Sequence, residues 1–320
     1  MSACSWLVLF ATAAFASPSG AIRDVRVPPA LLAKTSPPEL SGIAWCAPLA
    51  RYLVVSDDTG KRESGSWHVP WLFAMSQDGG LDSEPVPVGG IEKLNDAEAI
   101  CPGPDGTFFV CTSHSESKKG KSGAARRMLL HVLLDGRRLR VQEKCNLTDA
   151  TIVSDAGEMQ ADRLDPEHGL DIEGIAYRDA SLFIGLKSPL AGGVAATLYE
   201  FHDPLPRMAR GLSILKRYAE LHLTVRGPSG EVPQGISDIA FLPDGSLIAC
   251  ANAPKGAASD GGGAVWRLRA GPQGFARPEL LKRFPGLKPE GVAPSPDGRS
   301  LVVVFDRGNK TPQWTSIPLP

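Results

Sequence analysis

The chain has 320 residues, enough for one large domain or two ordinary ones, and its 34 basic and 35 acidic side chains leave a formal charge of −1. That balance, without any long basic run, excludes a nucleic-acid-binding surface. A hydrophobic fraction of 42% against 22% charged residues excludes a disordered chain, and 34 glycines with 28 prolines suit many short strands joined by tight turns.

In chain order, the first feature is Trp6–Ala16, apolar except for Thr12 and too short to span a bilayer. It ends in Ala14-Phe15-Ala16, a small-x-small pattern, so residues 1–16 are read as a signal peptide cut before Ser17. No second apolar stretch reaches membrane-spanning length. Residues 17–320 are therefore expected to form one secreted or periplasmic domain, a monomer without a membrane span. Cleavage would leave Cys46, Cys101, Cys111, Cys145 and Cys250, an odd set with at least one free thiol. Cys46, Cys101, Cys111 and Cys250 lie in or beside expected inner strands and read as buried, inert thiols. A Cys101–Cys111 bridge across one hairpin is the alternative. No Cys/His spacing suggests zinc.

From Ser41 onward one short phrase recurs five times: Ser41-Gly42-Ile43-Ala44, Glu98-Ala99-Ile100, Glu173-Gly174-Ile175-Ala176, Ser237-Asp238-Ile239-Ala240 and Glu290-Gly291-Val292-Ala293. Intervals of roughly 50–75 residues point to a propeller, each phrase opening the innermost strand of a blade. Blade one is then Ser41–Trp45, Tyr52–Ser56, Trp71–Ser76 and Glu84–Val88; blade two is Glu98–Cys101, Thr107–Thr112, Met128–Leu134 and Leu139–Lys144. Blade three is Glu173–Tyr177, Ser181–Lys187, Thr197–Phe201 and Leu215–Leu223; blade four is Ser237–Phe241, Ser246–Ala251, Ala264–Arg269 and Glu279–Phe284. Blade five has only Glu290–Pro294, Leu301–Asp306 and Gln313–Pro318, so Ile22–Val27 is expected to supply its outer strand and close the ring. Pro-Asp-Gly at 104–106, 243–245 and 296–298 marks the turn between first and second strands, because Pro pre-sets φ and Gly accepts positive φ. The fold class is thus all-β, a propeller of five four-stranded blades, with six as the alternative. Ser154–Gly169 reads as an acidic, partly helical insertion.

In such a ring the first residues of the phrases, Ser41, Glu98, Glu173, Ser237 and Glu290, meet at the axis. Three converging carboxylates repel one another unless a cation joins them. The donors are all oxygens, so Ca²⁺ is the expected metal. The loops between second and third strands share this rim and bring Asp57, Asp58, Thr59 and Lys61, Ser113 and His114, Lys187 and Ser188, Asn252 and Lys255, and Asp306 and Arg307. Lys118, Lys119, Lys121, Arg126 and Arg127 read as a solvated loop. His114 has no carboxylate at a recognisable spacing, so no Ser-His-Asp triad is expected.

Glu39-Leu40-Ser41 followed by Val55-Ser56-Asp57-Asp58-Thr59-Gly60, the Ser/Glu/Glu/Ser/Glu order, and Ile184-Gly185-Leu186-Lys187-Ser188 resemble the calcium-activated nucleotidases, or apyrases. That resemblance implies a five-bladed propeller with a central Ca²⁺, cleavage of phosphoanhydrides, Asp57 and Asp58 near the attacking water or metal, and Lys187 near phosphate. Over Glu173–Ala176, Leu186–Pro189, Gly235–Phe241 and Leu287–Ala293 the chain also resembles a bacterial secreted propeller family of unknown function allied to esterase-like phytase domains. The expectation is an exported Ca²⁺-dependent phosphohydrolase acting on a small anionic substrate at the rim, with Asp57, Asp58, Lys187 and Arg307 as reacting or phosphate-binding groups. The alternatives are a non-catalytic ligand-binding propeller with structural Ca²⁺, and a lactonase or esterase.

Overall fold

A computed structural model describes residues 20–35, 37–57, 59–60, 67–117, 120, 123–154, 157–159, 164–165, 169–228, 230–253, 262–271, 274–308 and 310–319. The expected signal peptide, Cys4, Asp58, Lys61, Lys118, Lys119, Lys121 and Lys255 lie outside these residues, as does most of the insertion 154–169.

Five antiparallel sheets stand around one axis. From the axis outward, blade one is Leu40–Cys46, Arg51–Ser56, Trp71–Met75 and Val86–Gly89, and blade two is Ala97–Pro102, Thr107–Thr112, Leu129–Asp135 and Arg138–Cys145. Blade three is Asp171–Arg178, Ser181–Ser188, Ala196–His202 and Ile214–Leu221, extended by Thr151–Val153, which runs parallel to its outer strand. Blade four is Gly235–Phe241, Leu247–Asn252, Gly263–Leu268 and Glu279–Phe284. Blade five is Lys288–Pro294, Ser300–Asp306 and Gln313–Pro318, completed by Arg23–Asp24, with Arg23 opposite Trp314. The ring therefore has five blades and is closed by the N-terminal strand. The outer strands of blades one and two also pair, Val88 opposite Leu139. Among the described residues no helix is long and apolar enough to cross a membrane.

Strand alternation explains how the blades cohere. Successive side chains point to opposite faces, so each blade has two apolar faces and one core lies between each neighbouring pair. In blade two, Ala99, Cys101, Phe109 and Cys111 face blade three, while Ile100, Phe108 and Val110 face blade one. Similar clusters join blades three and four, four and five, and five and one. The five remaining cysteines are free thiols. Cys101 lies opposite Phe109 and Ala99 opposite Cys111, so the hairpin register rules out a Cys101–Cys111 bridge.

The phrase itself acquires a physical meaning. In every innermost strand the pairing slips at that point. The inner strand advances from Ala97 to Ala99, Ile172 to Gly174, Ile236 to Asp238 and Pro289 to Gly291 while its partner advances one residue. Blade one shows the same slip between Leu40 and Ile43. The bulged residues are Glu98, Glu173, Ser237 and Glu290, with Ser41 inside the blade-one slip, and a bulge re-aims its side chain out of the ladder. The next position is small because the neighbouring blade crosses there. A Cβ on Gly42 would lie 2.7 Å from Ala99 Cα, and one on Gly291 only 2.0 Å from the Ser41 carbonyl oxygen. Gly291→Ala is therefore expected to destabilise the ring by about 3 kcal/mol, read by denaturant unfolding. An unchanged midpoint would show that the blades are not packed this closely.

Where this small position is Asp238, the side chain is a staple. Its Oδ1 accepts the Ile239 N–H at 2.8 Å, its Oδ2 accepts the Val292 N–H at 2.8 Å, and the Ile43 amide adds a third bond. One fully buried carboxyl thus ties blades four, five and one. Burial pushes it well above the usual carboxylate range, and the three amides act against that shift.

Candidate metal centre at the axis

The bulged residues fall into two groups rather than one symmetric ring. On the blade-one and blade-two side, Asp57, Asp96 and Glu98 bring carboxylate oxygens within 4.8 Å of one another. Asp57 follows the second strand of blade one, and its Oδ1 accepts the Ser41 hydroxyl at 2.6 Å. Asp96 precedes the inner strand of blade two with φ of 62°. Its Oδ2 accepts from the Ser113 hydroxyl and forms an ion pair with Arg126. Arg126 Nη2 also donates to Ser115 Oγ at 2.9 Å, and its Nε to the Ser115 carbonyl at 3.2 Å. Arg126 is thus turned into the site, a correction to its reading as a solvated loop residue.

The blade-three and blade-five side carries its own cation. Lys187 Nζ lies 2.6 Å from Glu173 Oε2, 2.7 Å from Glu173 Oε1 and 3.5 Å from Glu290 Oε2. Lys187, expected to face phosphate, is therefore occupied by two of the five expected ligands. Asn252 Nδ2 donates to Ser237 Oγ at 2.7 Å, to the Pro289 carbonyl at 3.0 Å and to Glu290 Oε2 at 3.2 Å. Ser41 and Ser237 are thus both engaged within the protein. Arg307 Nη1 donates to Gln313 Oε1 at 2.5 Å, while Asp306 accepts the Gly308 N–H at 2.6 Å.

His114 is structural. Its Nδ1 donates to the Thr112 carbonyl at 2.8 Å and its Nε2 accepts the Leu147 N–H at 3.2 Å, which fixes a neutral tautomer. Burial is the main cause that pushes its pKa down to about 4.

The electrostatics follow from burial and crowding. Burial pushes Asp57 well above the usual carboxylate range, and Asp96, Asp306 and Glu39 push it further, against the Ser41 hydrogen bond. Glu98 is raised by burial, then by Asp57, Asp96, Glu173 and Asp171. Burial raises Asp171 to about 6 even though Lys187 opposes it. Glu173 is raised by burial against the pull of Lys187. Burial alone would lower the Lys187 ammonium, but Glu173, Glu290 and Asp171 hold it well above its ordinary value. Among the described residues, the carboxyl groups that meet here, Asp57, Asp96, Glu98, Asp171, Glu173, Glu290, Asp306 and Glu39, outnumber the cations that pair with them, Lys187 and Arg126.

Sequence reasoning missed Asp96 and Asp171. The signal was present: each stands two residues before a phrase glutamate, in Asp96-Ala97-Glu98 and Asp171-Ile172-Glu173.

The donor set suits a hard divalent cation. Two oxygens each about 2.3–2.6 Å from one Ca²⁺ are at most about 5 Å apart, and the Asp57, Asp96 and Glu98 oxygens meet that limit. All three are carboxylates, and among the described residues no thiol or imidazole joins this cluster.

No family model matches the chain, and no curated protein matches its sequence. Among solved structures, a glucose dehydrogenase aligns over 94% of this chain and 100% of its own at 12% identity, with a TM-score of 0.48. A gluconolactonase from Xanthomonas campestris aligns over 95% of this chain and 89% of its own at 14% identity, TM-score 0.43. A luciferin-regenerating enzyme aligns over 93% and 95% at 11% identity, TM-score 0.44. Similarity of this degree assigns neither a family nor an activity.

Proposed function

We propose that the protein is an exported Ca²⁺-dependent hydrolase whose reaction centre is the acidic cluster of blades one and two. The carrying observation is the convergence of Asp57, Asp96 and Glu98 oxygens within 4.8 Å in a site with too few cations. Asp57, Asp96 and Glu98 would hold the ion. Bound there, Ca²⁺ supplies Lewis acidity toward a substrate oxygen and lowers the pKa of a water. The protein's own groups do the rest. Ser41 orients Asp57 and Arg126 orients Asp96. Lys187 places its ammonium between Glu173 and Glu290 and holds both side chains in position. Asp171 is the carboxylate poised to accept a proton near neutral pH. Asp58, outside the described residues, remains a candidate beside Asp57.

Substrate charge decides between ester classes. Both cations at the site are held by carboxylates, so with one Ca²⁺ bound the site still repels a polyanion. An ester of low charge, such as a lactone, fits best. The excess of carboxylates over the needs of one ion favours one second reading: further Ca²⁺ would reverse the local charge and admit a phosphoester or phosphoanhydride.

The test couples metal stoichiometry to a substrate panel. Calcium content by calorimetry and elemental analysis is paired with hydrolysis of aliphatic lactones, p-nitrophenyl acetate, p-nitrophenyl phosphate, ATP and phytate, with Ca²⁺ or chelator. One Ca²⁺ per chain and calcium-dependent lactone or ester hydrolysis is the expected result. Two or more Ca²⁺ with phosphate release establishes the phosphohydrolase. Calcium binding without any hydrolysis leaves a ligand-binding propeller and overturns the enzymatic reading.

A further inference from the structure

The opposite mouth of the axis is built quite differently. Beyond the phrases, the five inner strands diverge around a cavity of about 330 Å³ on the face that carries the Pro-Asp-Gly turns. Its floor is the β-branched layer Ile43, Ile100, Ile239 and Val292, with the buried Asp238 staple separating it from the acidic cluster. Its wall follows the pseudo-fivefold repeat. The fourth residue after each phrase start is Trp45, Pro102, Tyr177, Phe241 or Pro294, a flat, rigid side chain in all five blades.

Each aromatic of this wall is backed by a second ring. Trp45 packs on Tyr52 with centroids 5.0 Å apart, Tyr177 on Phe109 at 5.5 Å, and Phe241 on Phe183 at 5.1 Å. The backing rings are themselves buried. A plug serving only to seal the channel would fill the space to interior density. Here the chain fixes flat rings around an open volume and leaves Trp45, Tyr177 and Phe241 half-buried. Rings held from behind lose little freedom when a ligand arrives, which is how a binding site is pre-organised.

We infer that this cup is a binding site for a small, planar, uncharged apolar molecule of one or two rings. Its volume lies at the lower end of ligand-pocket sizes. Water in it would meet an apolar floor and walls, so an apolar ring displaces poorly bonded solvent. The occupant is a small molecule rather than a protein segment because the cavity is a half-open cup ringed by the five inner strands rather than an extended groove. The inference does not rest on the metal or on hydrolysis.

The probe is 6-propionyl-2-(dimethylamino)naphthalene, an uncharged planar two-ring dye whose fluorescence shifts to the blue and rises in an apolar site, titrated into the full chain. Wild type is expected to show one saturable site. Ala240 lines the cup and also touches the core between blades four and five, so Ala240→Phe should enter the cup and weaken uptake by about tenfold or more, read on protein whose circular dichroism matches wild type. Tyr177→Ala, which removes a wall ring, is the second variant and should also weaken uptake. Absence of a saturable site in wild type, or equal uptake by both variants, overturns the inference. So does elution as a dimer whose dissociation is required for dye uptake, since a second copy would then be what covers the cup.

Discussion

Glu98→Gln is expected to stabilise the calcium-free protein and to remove most of its response to Ca²⁺. In the native state Glu98 is buried against Asp57 and Asp96 and is held toward its neutral form. Glutamine keeps the shape and removes the like charge, a gain on the order of 2 kcal/mol, or about 3 °C in melting temperature for a chain of this length. The same change deletes one of three converging carboxylates and should weaken calcium at least about tenfold. A purely structural glutamate would do the reverse, losing stability with no effect on calcium. The pH dependence has a definite sign. Asp57, Glu98, Asp171 and Glu173 have raised pKa values in the folded chain, so the native state binds more protons than the unfolded state between the ordinary and the raised values. Stability of the calcium-free wild type should therefore fall as pH rises through this window, which for Asp171 runs from 3.8 to about 6. Stabilisation by Ca²⁺ should grow over the same range and fade in acid. Thermal melts from pH 4 to 8, with and without calcium, read both effects. A calcium response independent of pH would remove the carboxylate cluster as the binding site.

Lys187→Met should have the opposite consequence. The ammonium is the counter-charge for Glu173 and Glu290 and is itself well buried. Removing one partner of a buried pair leaves uncompensated charge and costs about 3–5 kcal/mol, a loss on the order of 10 °C. The sequence suggested a rim lysine whose loss would spare stability; its partners in the fold reverse that expectation. The double variant Lys187→Met/Glu173→Gln should recover part of the loss, because the orphaned charge goes with it. If the single variant melts like wild type, Lys187 is a solvated side chain and the axis has a free cation for an anionic substrate after all.

What the sequence revealed depended on what was repeated. The phrases at Ser41, Glu98, Glu173, Ser237 and Glu290 gave blade number, inner strands and the axis, because five similar solutions to one packing problem leave five similar strings. Pairing of Arg23–Asp24 with Gln313–Pro318 followed from counting strands in blade five. The asymmetry of the site was not legible. Lys187 and Arg126 occur once each, and only the fold shows that both turn inward. Asp238 reads as one more small residue in the phrase, yet it holds three amides from three blades. The bulges were equally hidden, since a slipped register leaves no mark in composition.

The closing strand also sets a schedule for synthesis. Asp24 meets Gln313 across 289 residues of chain. At elongation rates of about 5–20 residues per second, the first of these waits roughly 15 s to 1 min for the second. During that interval blades one and two, with Asp57, Asp96 and Glu98, can already be complete, while blade five and Glu290 are still unmade. The carboxylates proposed to hold the metal are thus among the earliest parts of the ring to be made and its seal is the last. A cation present during synthesis would meet an open half-ring before it ever met a closed one.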